Sequence, residues 1–248
     1  MTNDIKLFSD YIRATHRIVF FGGAGVSTES GLPDYRSKDG IYRTARDFGR
    51  PPEEILSRDC FFSDPELFYR FYRAYFMTEA EPNGAHRAIA SLEDVHDVTV
   101  VTQNIDGLHQ AAGSRRVLEL HGPTSRLHCT ECGKTYGAEY LRRCGTNVPR
   151  CACGGLIKPD VTLYGEPLDP TVTDAAVRAI SRAELLIVGG TSLSVYPAAG
   201  FVRAFGGKHA VVINRDSTGF DTQASLVFRR SISEVLSEAV AESRQSQR

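Results

Sequence analysis

The sequence lacks three features that would point to a membrane, to secretion or to nucleic acid. No apolar run approaches the roughly 18 residues that a membrane-spanning helix needs, and residues 1–17 are polar and acidic where a signal peptide has an apolar core. Its 29 basic and 30 acidic residues leave a net charge of −1, whereas obligatory nucleic-acid binders usually carry a strong basic excess. We therefore expect a cytoplasmic protein that needs neither membrane nor nucleic acid, and a monomer.

The stretch at residues 22–28 is rich in glycine, but it lacks one glycine that a dinucleotide-binding fingerprint would have. Three glycines within residues 22–25 follow an apolar run at residues 17–21, as in a strand that leads into a phosphate-binding turn. The dinucleotide-binding fingerprint would place its third glycine where this sequence has Thr28. Residues 31–36 then return to turn chemistry instead of continuing a helix. The stretch predicts a phosphate site that departs from the usual fingerprint.

Apolar runs separated by helical patterns predict the fold class. The expected strands lie at residues 17–21, 97–102, 117–120, 185–188 and 210–213, with a further extended segment at residues 157–163. Strands that alternate with helices predict an α/β fold with a parallel, doubly wound sheet. Polar clusters follow three of the runs, at residues 22–27, 103–106 and 189–192. Since ligands bind outside the carboxyl ends of such strands, these clusters mark the expected site.

Five of the six cysteines crowd into residues 129–153. Cys129-x-x-Cys132 and Cys151-x-Cys153 are about 18 residues apart and resemble the two knuckles of a tetrahedral four-cysteine zinc site. Four protein ligands leave no coordination position for water, so this one zinc ion should be structural. Cys144 lies too far from either pair to complete a knuckle, and Cys60 stands apart in an apolar stretch.

Taken together, these motifs resemble those of the sirtuin family, the NAD-dependent protein deacylases. The matching stretches are residues 23–36, 102–109, 119–122, the two cysteine pairs, 158–166, 190–197 and 213–214. They occur in the family's order and extend over about residues 5–240. The resemblance implies that NAD is consumed as a co-substrate. An acetyl group would pass from a lysine of a protein or peptide to ADP-ribose, and nicotinamide would be released.

The resemblance also implies a division of the chain. Residues 1–36, 84–125 and 157–248 would form a Rossmann-like NAD-binding domain. Residues 37–83 would form a helical insertion that includes the loop closing over the cofactor, and residues 126–156 a zinc ribbon. NAD and the acyl-lysine peptide would enter the cleft between the large domain and this smaller module from opposite sides.

Catalytic and cofactor-binding roles follow from the matched motifs. His121 would be the general base, since a neutral imidazole can accept a ribose hydroxyl proton near pH 7. Asn104 and Asp106 would hold the nicotinamide carboxamide, which has donor and acceptor faces. The further cofactor contacts expected from the resemblance are Gly23, Ala24, Gly25, Ser27, Thr28, Tyr35, Arg36, Gln103, Ile105, Gly190, Thr191, Ser192, Asn214 and Arg215.

The peptide is expected to lie as an added strand between two edges. Its expected contacts are Thr162, Tyr164, Gly165, Glu166, Leu193, Ser194, Val195 and Tyr196. Thr162 and Tyr164 stand where the family most often has apolar residues, so the acyl tunnel should be slightly more polar. Family members specialised for acidic acyl groups carry Tyr-x-x-Arg on the helix that corresponds to residues 67–76. In this sequence Arg73 lies one residue later after Tyr69 than that spacing requires, so it should point away from the tunnel.

We therefore expect deacetylation to be faster than desuccinylation. Three other classes remain as alternatives. The same cleft could serve a protein mono-ADP-ribosyltransferase or an NAD hydrolase. The zinc ribbon could belong to a binding module without catalysis. The glycine turn alone would also fit an NAD-dependent dehydrogenase.

Overall fold

The computed structural model describes residues 2–35 and 40–245, apart from the side chains of residues 44 and 45. Its strands are β1 (Arg17–Gly22), β2 (Asp97–Thr102), β3 (Val117–Glu119), β4 (Arg126–Cys129), β5 (Thr135–Gly137), β6 (Ile157–Pro159), β7 (Leu185–Gly189), β8 (His209–Ile213) and β9 (Leu226–Phe228). Its α-helices are α1 (Asn3–Ala14), α2 (Ile41–Thr44), α3 (Pro52–Ile55), α4 (Arg58–Ser63), α5 (Pro65–Phe76), α6 (Gly84–Leu92), α7 (Leu108–Ala111), α8 (Ala138–Arg143), α9 (Pro170–Arg182) and α10 (Ile232–Gln245). None of the helices in these two ranges has the length and apolar character to cross a bilayer.

Six parallel strands form the large sheet, in the order β3-β2-β1-β7-β8-β9. The sheet grows from β1 towards β3 on one side and from β7 towards β9 on the other. The strand order therefore reverses between β1 and β7, and such a reversal opens a crevice at the carboxyl ends of the strands. This arrangement confirms the doubly wound α/β class predicted from the alternation of elements.

Both faces of the large sheet are covered, and β1 contributes to both cores. Ile18 and Phe20 pack in a cluster with residues of α1, α6 and α10. Val19 and Phe21 belong to a second cluster with residues of α9 on the opposite face. All four side chains are buried. A strand buried on both faces has an uninterrupted apolar sequence, which is why residues 17–21 could be recognised.

A smaller antiparallel sheet, in the order β5-β4-β6, lies beside the large one. A third apolar cluster joins it to the helices of the insertion, with Leu127 and Ile157 from the sheet and Phe61 and Phe68 from α4 and α5. The smaller module of ribbon and helical insertion that the sequence predicts is therefore present. The exact division at residue 156 stays a prediction. Ile157–Pro159 pairs with β4, which favours a boundary after residue 159.

Candidate active site

One cavity of about 840 Å³ opens at the carboxyl edge of the large sheet. Its lining includes Gly23, Gln103, Gly190 and Asn214, which directly follow β1, β2, β7 and β8. Parallel strands bring their carboxyl ends to one edge, so residues far apart in the sequence meet there. The cavity thus lies at the switch point between β1 and β7.

The glycine turn after β1 packs main chain against main chain. The Gly25 N–H donates to the Gly190 carbonyl oxygen at 2.8 Å, and a Cβ built on Gly25 would lie 2.8 Å from the Gly190 Cα. Gly190 itself has a φ of +59°, a left-handed conformation that favours glycine. The two turns can approach this closely only without side chains, and they leave main-chain groups at the edge of the cavity.

A hydrogen-bonded network of side chains lies beside this turn. The Ser27 hydroxyl donates to Asp106 Oδ2 at 2.7 Å, and Asn104 Nδ2 donates to Ser27 Oγ at 3.1 Å. Asp106 Oδ1 accepts from the Leu108 N–H at 2.9 Å, at the start of α7. The network therefore fixes a carboxylate and an amide side by side, and together they offer both donors and acceptors to a ligand.

His121 lies in the same cavity, with its ring oriented by the chain after β2. Its Nδ1 lies 2.8 Å from the Gln103 carbonyl oxygen. A carbonyl can only accept, so Nδ1 carries the proton and the lone pair of the neutral ring is on Nε2. Burial lowers the pKa of His121 below its ordinary value, partly offset by the bond to Gln103. The ring is therefore neutral near pH 7 and can accept a proton.

The segment that follows β6 is bonded to His121 through Thr162 and to the helical insertion through Tyr164. The Thr162 N–H donates to the His121 carbonyl oxygen at 2.8 Å. Tyr164 forms a parallel bridge with Ser57, since its N–H donates to the Leu56 carbonyl and its carbonyl accepts from the Arg58 N–H. The Tyr164 side chain is 41% exposed. This segment thus links the imidazole to the insertion along one wall of the cavity.

The carboxylate of Glu166 is bonded to groups of the segment that precedes it. Its Oε2 accepts from the Leu163 N–H at 2.9 Å and lies 3.0 Å from Lys158 Nζ. The Lys158 ammonium also donates to the Val161 carbonyl at 2.9 Å, and Lys158 is buried. Glu166 lines the cavity, and through these contacts its carboxylate stabilises the conformation of the loop.

Most of the predicted site residues within the described chain line this one cavity. Leu193 and Ser194 are the exceptions, although Val195 and Tyr196 beside them line it. Arg36 lies outside the described residues. The predicted residues that share the cavity are Gly23, Ala24, Gly25, Ser27, Thr28, Tyr35, Gln103, Asn104, Ile105, Asp106, His121, Thr162, Tyr164, Gly165, Glu166, Gly190, Thr191, Ser192, Val195, Tyr196, Asn214 and Arg215. Their individual roles stay predictions.

Sequence reasoning did not place the start of α10 in the site. Residues 230–232 also line the cavity, and the Ser231 hydroxyl donates to Glu29 Oε1 at 2.7 Å. Ser231 Oγ in turn accepts from the Glu234 N–H, so Ser231 acts as a helix cap. The Ser-x-x-Glu spacing could have indicated a helix start there. It carries no information about which strand end that helix would reach.

The four predicted zinc ligands come together in the smaller module. The sulfur atoms of Cys129, Cys132, Cys151 and Cys153 all lie within 4.8 Å of one another, with Cys129–Cys153 at 3.4 Å and Cys132–Cys151 at 3.6 Å. Zn–S bonds of about 2.3 Å in a tetrahedron give sulfur separations of about 3.8 Å. The donor set therefore fits a structural zinc ion.

The groups around Cys151 favour its thiolate form. The Cys153 N–H and the Tyr136 hydroxyl, which lies 3.0 Å from the sulfur, lower the pKa of Cys151 to about 6. The thiolate is the form that binds a metal. Cys144 is not part of the cluster that the described residues form.

A doubly wound sheet with paired glycine turns and a polar network at its carboxyl edge defines a nucleotide-binding α/β protein. The four-cysteine cluster adds a second module whose donor set fits a metal ion. The family model described as Sir2 family matches residues 23–197. The chain belongs to the Sir2 family. This membership confirms the resemblance to sirtuins inferred from the motifs.

Relatives of known name agree in length as well as in sequence. The chain is 50% identical over 239 residues to an NAD-dependent protein deacetylase of Clostridium acetobutylicum, covering 95% of this chain and 98% of the relative. A protein of the same name from Cutibacterium acnes is 50% identical over 229 residues, covering 92% and 93%. A solved complex of Sir2, a p53 peptide and NAD+ is 37% identical, with a TM-score of 0.87 and coverage of 99% and 100%.

Proposed function

We propose that this chain is an NAD-dependent protein lysine deacetylase that transfers the acetyl group of acetyl-lysine to ADP-ribose and releases nicotinamide. One observation carries this function. The imidazole of His121, with its Nε2 lone pair available, shares a cavity with the Ser27–Asn104–Asp106 network. The NAD-dependent deacetylases that match 95% and 92% of the chain at 50% identity support the same activity.

NAD supplies the ADP-ribosyl group that accepts the acetyl group. Asp106 and Asn104 bind the carboxamide of the nicotinamide part, because their acceptor and donor atoms are complementary to it. The turns at Gly25 and Gly190, which pack on each other and line the cavity, would offer main-chain groups to the diphosphate. Asn214, directly after β8, is at the position where an adenosine ribose would lie.

His121 takes up a proton from a ribose hydroxyl at Nε2. Because Nδ1–H is held by the Gln103 carbonyl, the ring cannot rotate away or change tautomer without losing that bond. Gln103 Nε2 donates to Thr191 Oγ1 at 3.1 Å, which ties the segment that orients His121 to the turn after β7. The position of the base is thereby fixed relative to the carboxyl ends of β2 and β7.

The acetyl-lysine peptide lies extended between residues 164–166 and residues 193–196. Tyr164 already uses its N–H and its carbonyl on the insertion, so Gly165 and residues 193–196 would supply the hydrogen bonds of an added strand. The lysine side chain enters beside Thr162, whose N–H is bonded to the His121 carbonyl. Acetylated proteins or peptides are therefore the expected partners, as solved Sir2 complexes with acetylated peptide suggest.

The remaining parts of the proposal concern organisation. The large domain comprises residues 1–36, 84–125 and the chain from about residue 160 onwards, because Ile157–Pro159 pairs with β4 in the smaller sheet. The helical insertion and the zinc ribbon form the smaller module. Reduced, metal-binding cysteines support a cytoplasmic location. A net charge of −1 provides no basic excess for binding nucleic acid. A monomer is the simplest active form.

The test is an incubation with NAD and an acetyl-lysine peptide, followed by mass analysis of the products. We expect free lysine peptide, nicotinamide and O-acetyl-ADP-ribose in equal amounts. A peptide that gains ADP-ribose, or NAD hydrolysed without change in the peptide, would instead identify a transferase or a hydrolase. No reaction at all would favour a binding module.

The matched control is His121→Ala. This variant should bind NAD and retain its fold while turnover falls by about 100- to 10,000-fold, the usual contribution of a general base. Unchanged turnover would refute the role given to His121.

A further inference from the structure

Leu193, in the loop after β7, has a backbone conformation that no other non-glycine residue in the described ranges shares. Its φ is +50°, in the left-handed region where the Cβ of an L-residue comes too close to the following carbonyl oxygen. Such a conformation persists only where the surrounding structure enforces it, and residues of this kind cluster at functional sites. The contacts that hold Leu193 therefore indicate what the loop is built to do.

The turn at Leu193 is closed by hydrogen bonds of the side chains beside it. The Leu193 N–H donates to Thr191 Oγ1 at 3.2 Å, and the same oxygen accepts from Gln103 Nε2 at 3.1 Å. Thr191 is buried, so its hydroxyl is a fixed point on which both donors converge. Ser192 Oγ and Ser194 Oγ lie 2.6 Å apart across the turn. The left-handed conformation is thus bonded from both sides.

The side chain of Leu193 anchors the same turn to the large domain. It is half-buried and packs against the second apolar cluster, on the α9 face of the sheet. Leu193 does not line the cavity, whereas Val195 and Tyr196 shortly after it do. The Val195 carbonyl accepts from the Ala199 N–H at 2.9 Å, which fixes the far end of the loop. Packing on the cluster therefore offsets the steric cost of the turn.

We propose that Leu193 is a positioning residue for the acetyl-lysine peptide, and that its left-handed turn directs residues 194–196 towards the extended substrate chain. This rests on the proposed function, because it concerns the peptide edge of the same cleft. A β conformation at residue 193 would send the chain after Thr191 in a different direction. Leu193 thus acts on the peptide through Val195 and Tyr196, without lining the cavity itself.

Two substitutions separate the backbone conformation from the packing of the side chain. Leu193→Ala and Leu193→Gly both remove the contacts with the second apolar cluster. Alanine keeps the steric cost of a positive φ, whereas glycine adopts a positive φ about as readily as a negative one. If the turn positions the peptide, the glycine variant should bind it better than the alanine variant. If only packing mattered, glycine would be the worse of the two, because it adds chain entropy to the same loss of contacts.

The test measures the dissociation constant of a fluorescent acetyl-lysine peptide by anisotropy for the wild type and both variants. We expect Leu193→Ala to weaken binding about tenfold, which corresponds to about 1.4 kcal/mol. Leu193→Gly should remain within about threefold of the wild type, because glycine tolerates the left-handed turn. The dissociation constant for NAD should stay near the wild-type value in both, since Thr191 keeps its bond to Gln103.

Val202→Ala and Val202→Gly are the matched controls. Val202 is a buried member of the same cluster, but it lies in the 3₁₀ helix Ala198–Ala204 and its φ is not positive. Both variants should lower the free energy of unfolding, the glycine variant more than the alanine variant, and leave peptide binding near the wild-type value. Peptide binding by Leu193→Gly that is no better than by Leu193→Ala would overturn the role of Leu193. Unchanged binding in Leu193→Ala would overturn it as well.

Amide hydrogen exchange without ligand follows the turn directly. The N–H of residue 193 should be protected in the wild type and in Leu193→Gly, and should exchange faster in Leu193→Ala. If the acetyl peptide is bound but not processed, the proposed function fails, while the order of the two variants still decides for or against Leu193. If Leu193→Ala binds and processes the peptide as the wild type does, the proposed function stands and the role of Leu193 fails.

Discussion

The cleft has two halves that are built in different ways, one proposed to bind the nucleotide and one proposed to bind the acyl group. The nucleotide half consists of the turns after β1, β7 and β8, where main chain meets main chain and a Cβ on Gly25 would lie 2.8 Å from Gly190. The acyl half consists of Leu56, Tyr72 and residues 161–164, where side chains of the third apolar cluster form the wall. The nucleotide half therefore has little freedom to change. The acyl half can alter its ligand by exchanging side chains on an unchanged backbone.

Removal of the metal should produce the largest difference between the two halves, because it should impair the acyl half and leave NAD binding intact. Cys129 and Cys151 belong to the third cluster, so loss of the zinc ion should disorganise the acyl half, while the two cores of the large sheet stay intact. Dialysis against a chelator should abolish deacetylation, and titration calorimetry should still detect NAD binding. Folding coupled to metal binding is usual for small zinc modules.

Cys144→Ser is the control for metal removal, because Cys144 lies outside the four-cysteine cluster. This variant should retain one zinc ion and full activity. Full activity in metal-free protein would contradict the link between the zinc ion and the acyl half.

A methyl group at Gly25 should damage the nucleotide half alone. Overpacking of this kind costs about 1–3 kcal/mol, so Gly25→Ala should weaken NAD binding by roughly 5- to 150-fold. The KM for the peptide should stay near the wild-type value. Steady-state kinetics with each substrate varied in turn would measure both effects.

Gly206→Ala is the matched glycine variant, since a Cβ there would have nothing within 4 Å. It should leave both KM values unchanged. If Gly25→Ala raised the peptide KM as much as the NAD KM, the two halves could not be treated as separate.

Glu166→Gln should damage the acyl half alone. The change leaves the Lys158 ammonium without its carboxylate, and breaking a buried ion pair costs about 3–5 kcal/mol. The side chains of Lys158 and Glu166 are 10% and 20% exposed, so the lower end of that range applies to the free energy of unfolding. We expect the peptide KM to rise about tenfold, with the KM for NAD unchanged, because the loop at residues 161–165 loses its anchor.

Asp94→Asn gives the comparison with an exposed pair. Arg244 and Asp94 are 48% and 64% exposed, and such pairs contribute about 0–1 kcal/mol. Denaturant unfolding and peptide kinetics of both variants would show whether burial of the pair is what matters. A normal peptide KM in Glu166→Gln would show that the loop needs no such anchor.

The same contrast explains how much the sequence could predict. The glycine turn, Gln103–Asp106 and the four cysteines are local patterns whose chemistry depends on spacing, so the cleft could be located before any coordinates. The direction of the Glu166 carboxylate depends on Lys158 and Leu163 around it, which no sequence pattern shows, and the substrate contact expected for Glu166 stays a prediction. The pairing of Ile157–Pro159 with β4 and the unpaired hydroxyl of Tyr72 likewise result from tertiary packing.

The smallest effect concerns His121, which serves both halves because it is bonded to Gln103 on one side and to Thr162 on the other. Burial lowers its pKa, and a general base works only when neutral, so activity should persist below the ordinary histidine pKa of about 6.5. As the pH falls through the lowered pKa, the ring becomes protonated and kcat/KM for the peptide should decline with a slope of one. A pH–rate profile whose acidic limb lies below pH 6.5 agrees with this. A limb at pH 7 or above would mean that a second group titrates with the base, or that the imidazole is more solvated in the working enzyme than its burial indicates.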